Sequence, residues 1–202
     1  MKKLRMGLIG LGWVGSHRHI PAMLRSPHIE LVGVCDRNPE KVREWAGEYG
    51  LRHDCRSDPS RIEWLDSVDA VSIATPPMQH RELASTLLQL GKHVLTEKPF
   101  CMTPEEGRAL CEVARASGRT LAVVHNFQFS TAFARMQRDI ESGRLGTLRS
   151  ITGAQLGNPR RRLPRWYQEL PLGLFFDESP HLLYLVERLA GPSLSLAHVH
   201  RV

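Results

Sequence analysis

The sequence predicts an α/β fold: a doubly wound parallel sheet, followed by a partial α+β second domain. Three observations predict it. Short apolar runs alternate with helix-like segments as far as about residue 125. The residues suited to ligand binding or proton chemistry fall just after those runs. Past Asn126 the alternation stops, and an irregular stretch rich in Pro and Arg appears. Short buried strands separated by helices pair in parallel, because each helix carries the chain back to start the next strand. The right-handed crossover rule then covers both faces of the sheet and gathers ligands at the carboxyl ends of its strands.

Taken in order, residues 4–9 form the first strand and 14–24 a helix. Residues 30–35 (Glu-Leu-Val-Gly-Val-Cys) form the next strand and end at Asp36. A helix covers 39–49, with Asn38 as N-cap and Pro39 at its first position, where a missing N–H costs nothing. Residues 69–74 are a buried strand closed by Thr75-Pro76-Pro77, and a helix over 78–90 stops at Gly91. Residues 93–95 are strand-like and run into Glu97-Lys98-Pro99. Thr103 caps a helix from 104 to just before Gly118, and 121–124 is a further apolar strand. The dividing line is drawn at 125/126, giving domains 1–125 and 126–202. In the second, a helix covers 131–142 and a strand 147–155. Residues 157–173 are irregular, a helix covers 180–190, and a strand covers 195–202.

Composition excludes several classes. The 202 residues carry 42% hydrophobic side chains, enough for a core, and no apolar run long enough to span a bilayer. The basic start, Met1-Lys2-Lys3-Leu4-Arg5, leads into glycines and no cleavage site, which fits a first strand and not a signal peptide. Cys35, Cys55, Cys101 and Cys111 form no CxxC pair and fit reduced thiols of a cytoplasmic protein. The net charge of +6 includes a local cluster, Arg160-Arg161-Arg162 with Arg165, but the other basic residues are interleaved with acids. A solvated loop or a clamp for an anionic small molecule explains that cluster at least as well as nucleic acid does.

The run Leu8-Ile9-Gly10-Leu11-Gly12-Trp13-Val14-Gly15 follows the first strand and opens a helix. That order suits the pyrophosphate of a dinucleotide. Gly10 permits the tight turn, Gly12 lets backbone N–H groups approach the phosphates, and Gly15 lets helix pack on strand. Trp13 and Val14 lie within the same loop. Asp36 stands 21 residues beyond Gly15, the offset of an acid that meets the adenine ribose hydroxyls. This favours NAD, while the adjacent Arg37 could meet a 2′-phosphate and leaves NADP open. The bland alternative for Asp36 is a turn residue at a strand end.

These residues, together with Ala74-Thr75-Pro76-Pro77, His80, Glu97-Lys98-Pro99 and the pair Asp177 and His181, carry a resemblance along essentially the whole chain. The chain resembles the glucose–fructose oxidoreductase / inositol dehydrogenase family of NAD(P)-dependent enzymes. The resemblance implies a Rossmann domain and a second domain with an open antiparallel sheet that often serves in oligomerisation. It also implies hydride transfer between nicotinamide and a hydroxyl or keto carbon of a sugar-like or cyclic polyol substrate. The cofactor would be held by Gly10, Gly12, Trp13, Val14, Gly15, Asp36, Arg37, Thr75, Pro76, His80, Glu97 and Lys98. Lys98 would carry the chemistry, its charge stabilising an alkoxide and its amine relaying a proton.

Ser179 as N-cap and Pro180 at the first helical position would put His181 in a first turn, where the helix dipole favours the neutral imidazole. A neutral imidazole can accept the substrate's proton, with Asp177 orienting the reacting group. A metal would need more ligands than this pair supplies, and the structural alternative is a capping Asp177 with a buried His181. Two departures from the family pattern bear on the substrate: Ser179 replaces a common glycine, and Tyr184 an acid common three residues after the histidine. Trp166, Tyr167 and the arginine cluster could wall a sugar or acidic substrate, or simply pack as a loop. Family members are considerably longer, so an exposed strand over 195–202 would invite edge pairing and a homo-dimer. The rival reading is a catalytically silent NAD(P)-binding sensor or partner subunit.

Overall fold

The computed structural model describes residues 2–158, 160 and 163–191. The chain divides into two compact units, Met1–Val124 and His125–Val202. The first holds a six-stranded, wholly parallel sheet. Its strands are β1 (Leu4–Ile9), β2 (Ile29–Cys35), β3 (Arg52–Asp54), β4 (Ala70–Ile73), β5 (His93–Thr96) and β6 (Leu121–Val123). Their spatial order is β3-β2-β1-β4-β5-β6, so the direction of winding reverses between β1 and β4. Between them run α1 (Ile20–Arg25), entered through a π-helical turn Gly15–His19, then α2 (Pro39–Tyr49), α3 (His80–Gln89) and α4 (Pro104–Ser117).

Local chemistry explains the helix ends. The Asn38 side chain accepts hydrogen bonds from the N–H groups of Glu40 and Lys41 and starts α2. Thr103 accepts from Glu106 N–H, and the Glu106 carboxylate reaches back to Met102 N–H, a reciprocal cap for α4. Gly50 and Gly118 end α2 and α4 in the left-handed conformation.

Alternation along the strands feeds two apolar layers. Met6, Leu8 and Val34 pack with Ile20, Met23 and Val42 on one face. Ile9, Cys35, Val71 and Ile73 pack with Leu83, Leu87 and Leu110 on the other. Trp64 is the largest fully buried side chain among the described residues, and its ring lies against glycines of the neighbouring strands β1 and β2. A Cβ at Gly7 would stand 2.0 Å from its ring, and one at Gly33 2.6 Å. The indole N–H is satisfied by the Val34 carbonyl at 3.2 Å.

Strand β3 is absent from the sequence-based expectation. It is three residues long, polar (Arg-His-Asp) and at the sheet edge, so no apolar run announces it.

In the second unit, α5 (Thr131–Glu141) is capped by the Ser130 side chain. Helix α6 spans Leu174–Ala190 with Pro180 inside it. This corrects the expected start at 180: Ser179 is not a cap, and Gly173, at φ 56°, precedes the first turn. Asp177, His181 and Tyr184 are the buried residues of α6, spaced by four and three along one face. Burying that face rewards a continuous helix enough to absorb the bond that Pro180 cannot donate. The expected strand over 147–155 is also corrected: residues 148–158 form neither strand nor helix. No second strand pairs with them among the described residues, and an unpaired strand leaves its backbone groups unsatisfied. The antiparallel sheet is therefore not seen, and the strand expected over 195–202 lies outside the described residues, as do Arg161 and Arg162.

Candidate functional site

Register lines up the carboxyl ends of the central strands. Ile9 pairs with both Cys35 and Ile73, and Ile73 with Thr96. The residues that follow, Gly10, Asp36, Ala74 and Glu97, therefore stand along one edge at the point where winding reverses. Open α/β sheets bind ligands there.

The three glycines meet different surroundings. Gly10 adopts φ +102°, and a Cβ on it would lie 2.7 Å from the Ala74 backbone. A Cβ on Gly15 would lie 2.0 Å from the Gly10 carbonyl oxygen. At Gly12 a Cβ would meet nothing within 4 Å. Gly10 and Gly15 are thus required by the protein's own packing, while Gly12 opens onto space. Trp13 is 61% exposed, its ring stacked on His17 with the Arg18 guanidinium 4.8 Å from its centroid. Val14 beside it is also exposed.

Asp36 holds the loop from the other side. Its carboxylate accepts hydrogen bonds from Leu11 N–H at 2.7 Å and Asn38 N–H at 2.8 Å. Asp36, Arg37, Asn38, Pro39, Glu40 and Arg43 line an open hollow of about 750 Å³.

On the far side of the switch point, the Thr75 hydroxyl oxygen is buried with no hydrogen-bond partner, the sole such side-chain atom among the described residues. Pro76 follows it and leads into the turn before α3. His80 is fully buried, its Nε2 2.9 Å from the Thr75 carbonyl and its Nδ1 2.9 Å from the Pro99 carbonyl. It ties the threonine loop to the lysine turn. Both neighbours are acceptors and a neutral imidazole donates only one hydrogen. Burial pushes the His80 pKa below its ordinary 6.5, against the opposing pull of the carbonyls.

The lysine turn, Glu97-Lys98-Pro99, contains a cis peptide between Lys98 and Pro99. Glu97 lies between two partners: Oε2 accepts from Lys98 N–H at 3.1 Å, and Oε1 is 2.8 Å from His19 Nε2. His19 Nδ1 is in turn 2.9 Å from the Ser72 hydroxyl. His19 and Ser72 were not legible as site residues. The available signal is that His19 falls four residues after Gly15, one turn along the same face.

In the second unit, Asp177 is 2% exposed and accepts a 2.7 Å hydrogen bond from the Tyr167 hydroxyl. His181 Nδ1 is 2.9 Å from the Tyr184 hydroxyl, which itself accepts from Phe127 N–H at 3.1 Å. The imidazole stacks on Phe127 at 4.3 Å, and Tyr184 stacks on His125 at 4.2 Å. Burial lowers the His125 pKa, with Glu187 pulling the other way. His181 stands in the third turn of α6, beyond the reach of the dipole at its start, so the expected dipole control of its charge does not apply. Trp166 stacks on Tyr167 at 4.1 Å, so this pair packs together, while Arg160 and Arg165 are the described members of the arginine cluster.

Comparison with known proteins follows the same lines. D-glucoside 3-dehydrogenase of Escherichia coli is 31% identical over 163 residues, 81% of this chain and 46% of that protein. UDP-N-acetylglucosamine 3-dehydrogenase of Acidithiobacillus ferrooxidans is 40% identical over 125 residues, 62% of this chain and 38% of that protein. The WlbA dehydrogenase of Bordetella pertussis, solved in complex with NADH and UDP-GlcNAcA, superposes with a TM-score of 0.74 at 26% identity, covering 95% of this chain and 59% of that one. The chain spans about half the length of the curated relatives it matches. The family model for the oxidoreductase family with an NAD-binding Rossmann fold matches residues 4–125, and with the glycine turn, Asp36 and the lysine turn on one sheet edge, the chain belongs to that family.

Proposed function

We propose that the chain is an NAD(P)-dependent dehydrogenase acting on a CH–OH group of a sugar-like or cyclic polyol substrate, or on the corresponding ketone. The observation that carries this reading is the sheet edge itself. It offers open space at Gly12 and an orphaned Thr75 hydroxyl, both of which fit a dinucleotide beside the lysine turn. Gly12, Trp13, Val14 and Thr75 would hold it, Gly10 and Gly15 would shape the loop, and Pro76 and Glu97 would border it. Asp36 with Arg37 would meet the adenosine ribose, so NAD and NADP both fit, NAD being favoured by the acid. His80, with both nitrogens on carbonyls, serves the loops that hold the cofactor.

The nicotinamide, when bound, supplies the hydride acceptor or donor. The protein's part is charge and proton control. The Lys98 ammonium stabilises negative charge developing on the substrate oxygen. His181 exchanges the proton of that oxygen, and Asp177, held by Tyr167, orients the reacting group. The substrate class rests on the relatives, two of which are 3-dehydrogenases of a glucoside and a nucleotide sugar. Homo-oligomer formation belongs to the same proposal, and a gel-filtration mass of one chain contradicts it.

Parallel fluorescence titrations with NADH and NADPH, followed by a turnover screen over glucosides, UDP-sugars and inositols, test the reading. Saturable binding and turnover that falls about a hundredfold or more in Lys98→Met are expected. Binding of neither dinucleotide refutes it. Binding without turnover across the panel favours the silent sensor.

A further inference from the structure

The buried chain Ser72–His19–Glu97 ends on the backbone of Lys98, and nothing in the proposed reaction uses it. Ser72 is fully buried at the centre of β4, on the sheet face that α1 covers. The side chains of His19 and Glu97 are only 8% and 13% exposed. Hydrogen-bond direction along the chain is constrained. The Glu97 carboxylate only accepts, so His19 Nε2 donates to Oε1 at 2.8 Å. With Nε2 protonated and the imidazole neutral, Nδ1 accepts from the Ser72 hydroxyl at 2.9 Å. The second carboxylate oxygen takes Lys98 N–H at 3.1 Å. Each link is satisfied.

His19 closes the π-helical turn that begins at Gly15, so the chain joins the helix behind the glycine loop to the residue preceding Lys98. We infer that His19 is a positioning residue for Lys98: by donating from Nε2 to Glu97, it holds that carboxylate in place and sets the orientation and reactivity of the lysine amine. This rests on the reading of Lys98 as the working cation, but its test does not.

Without the imidazole donor, the Glu97 carboxylate loses the hydrogen bond that holds it, and the Lys98 backbone N–H loses its fixed acceptor. The lysine amine is then presented to an acylating reagent in a less defined orientation.

The experiment is competitive acetylation of the intact protein by acetic anhydride, with mass spectrometry reading the rate at Lys98 against Lys92 as internal reference. It compares wild type with His19→Leu, His19→Gln and His19→Asn, circular dichroism first confirming that each is folded. A glutamine amide places its N–H near the Nε2 position, an asparagine amide near Nδ1. The acetylation rate of Lys98 is expected to change about threefold or more in His19→Leu and His19→Asn, and to return to the wild-type value in His19→Gln. NADH affinity is expected to stay within about twofold, since the glycine loop keeps its own contacts.

An unchanged Lys98 rate in folded His19→Leu, or equal rates in the Gln and Asn variants, overturns the inference. If His19→Leu does not fold, His19→Gln and His19→Asn decide the matter by themselves. A changed Lys98 rate in an enzyme whose Lys98→Met variant keeps full turnover upholds the positioning and removes Lys98 from the chemistry. The two failures are thus separable.

Discussion

Gly12→Ala and Gly15→Ala, made separately, should fail in opposite ways. At Gly15 the new methyl carbon would sit 2.0 Å from the Gly10 carbonyl oxygen. An ordinary C···O approach is about 3.3 Å, so the deficit is roughly 1.3 Å. The obstacle is backbone and cannot rotate away, and Gly10 is itself packed so closely that a Cβ built on it would lie 2.7–2.9 Å from the Ala74 and Thr75 backbone. Alanine in a helix ordinarily gains about 1 kcal/mol over glycine. Overpacking of this kind costs about 1–3 kcal/mol or more, so the net sign should be destabilising. A net loss of about 1–2 kcal/mol corresponds, for a chain of this size, to a fall in Tm of roughly 2–8 °C.

At Gly12 nothing lies within 4 Å of the new carbon. Alanine should leave the apo protein as stable as before, or up to about 1 kcal/mol more stable through its less disordered unfolded chain. The methyl would however occupy the space where backbone must approach pyrophosphate. The NADH Kd should rise at least about tenfold, a loss of about 1.4 kcal/mol. Thermal melts with and without NADH read both effects in one assay, because ligand that binds only the folded state raises Tm by an amount that grows with the logarithm of its concentration over Kd. Wild type should show an NADH-dependent rise, Gly12→Ala an unchanged apo Tm with little rise, and Gly15→Ala a lowered apo Tm. Undiminished NADH stabilisation in Gly12→Ala would refute the cradle, and an unchanged apo Tm in Gly15→Ala would refute the close-approach reasoning.

Three further outcomes are expected. Asp36→Ala should weaken NADH and NADPH together and lower Tm, because the carboxylate secures Leu11 and Asn38 N–H as well as facing the hollow; a clean exchange of preference from NADH to NADPH with unchanged Tm would contradict this. His80 has a folded-state pKa below its ordinary 6.5, so its neutral form contributes stability that is intact above 6.5 and is lost as pH falls through the folded value. Tm should therefore decline on the acid side of 6.5, less steeply in His80→Gln, and an identical slope in that variant would show that other groups set the decline. Among the thiols, Cys35 and Cys101 are buried and pushed up to about 12, whereas Cys55 and Cys111 are exposed. Reaction with Ellman's reagent at neutral pH should show two fast thiols in the native protein and two more on denaturation, since thiolate is the nucleophile and burial withholds it. Four fast thiols would mean that the core opens readily.

What the sequence by itself determined is local. Apolar runs, helix caps such as Asn38 and Thr103, and the glycine spacing act over a few residues, so they placed five of the six strands, the alternation and the glycine turn at the carboxyl edge. The placement of Lys98, Asp36 and Thr75 just after strands was legible, because one-dimensional order records it. Tertiary structure decided whatever depends on a distant partner. Strand β3 forms because the neighbouring strand β2 offers it backbone partners, which its polar residues do not advertise. Helix α6 runs through Pro180 because a buried face rewards continuity more than one proline penalises it. His80 looks from its motif like a ligand contact, yet the fold seals it between two carbonyls. His19 meets Glu97 across 78 residues of sequence and Ser72 across 53. Pairings of that separation arise only when the sheet brings the strands side by side, because burial then obliges each polar group to find whichever partner the fold has placed within reach.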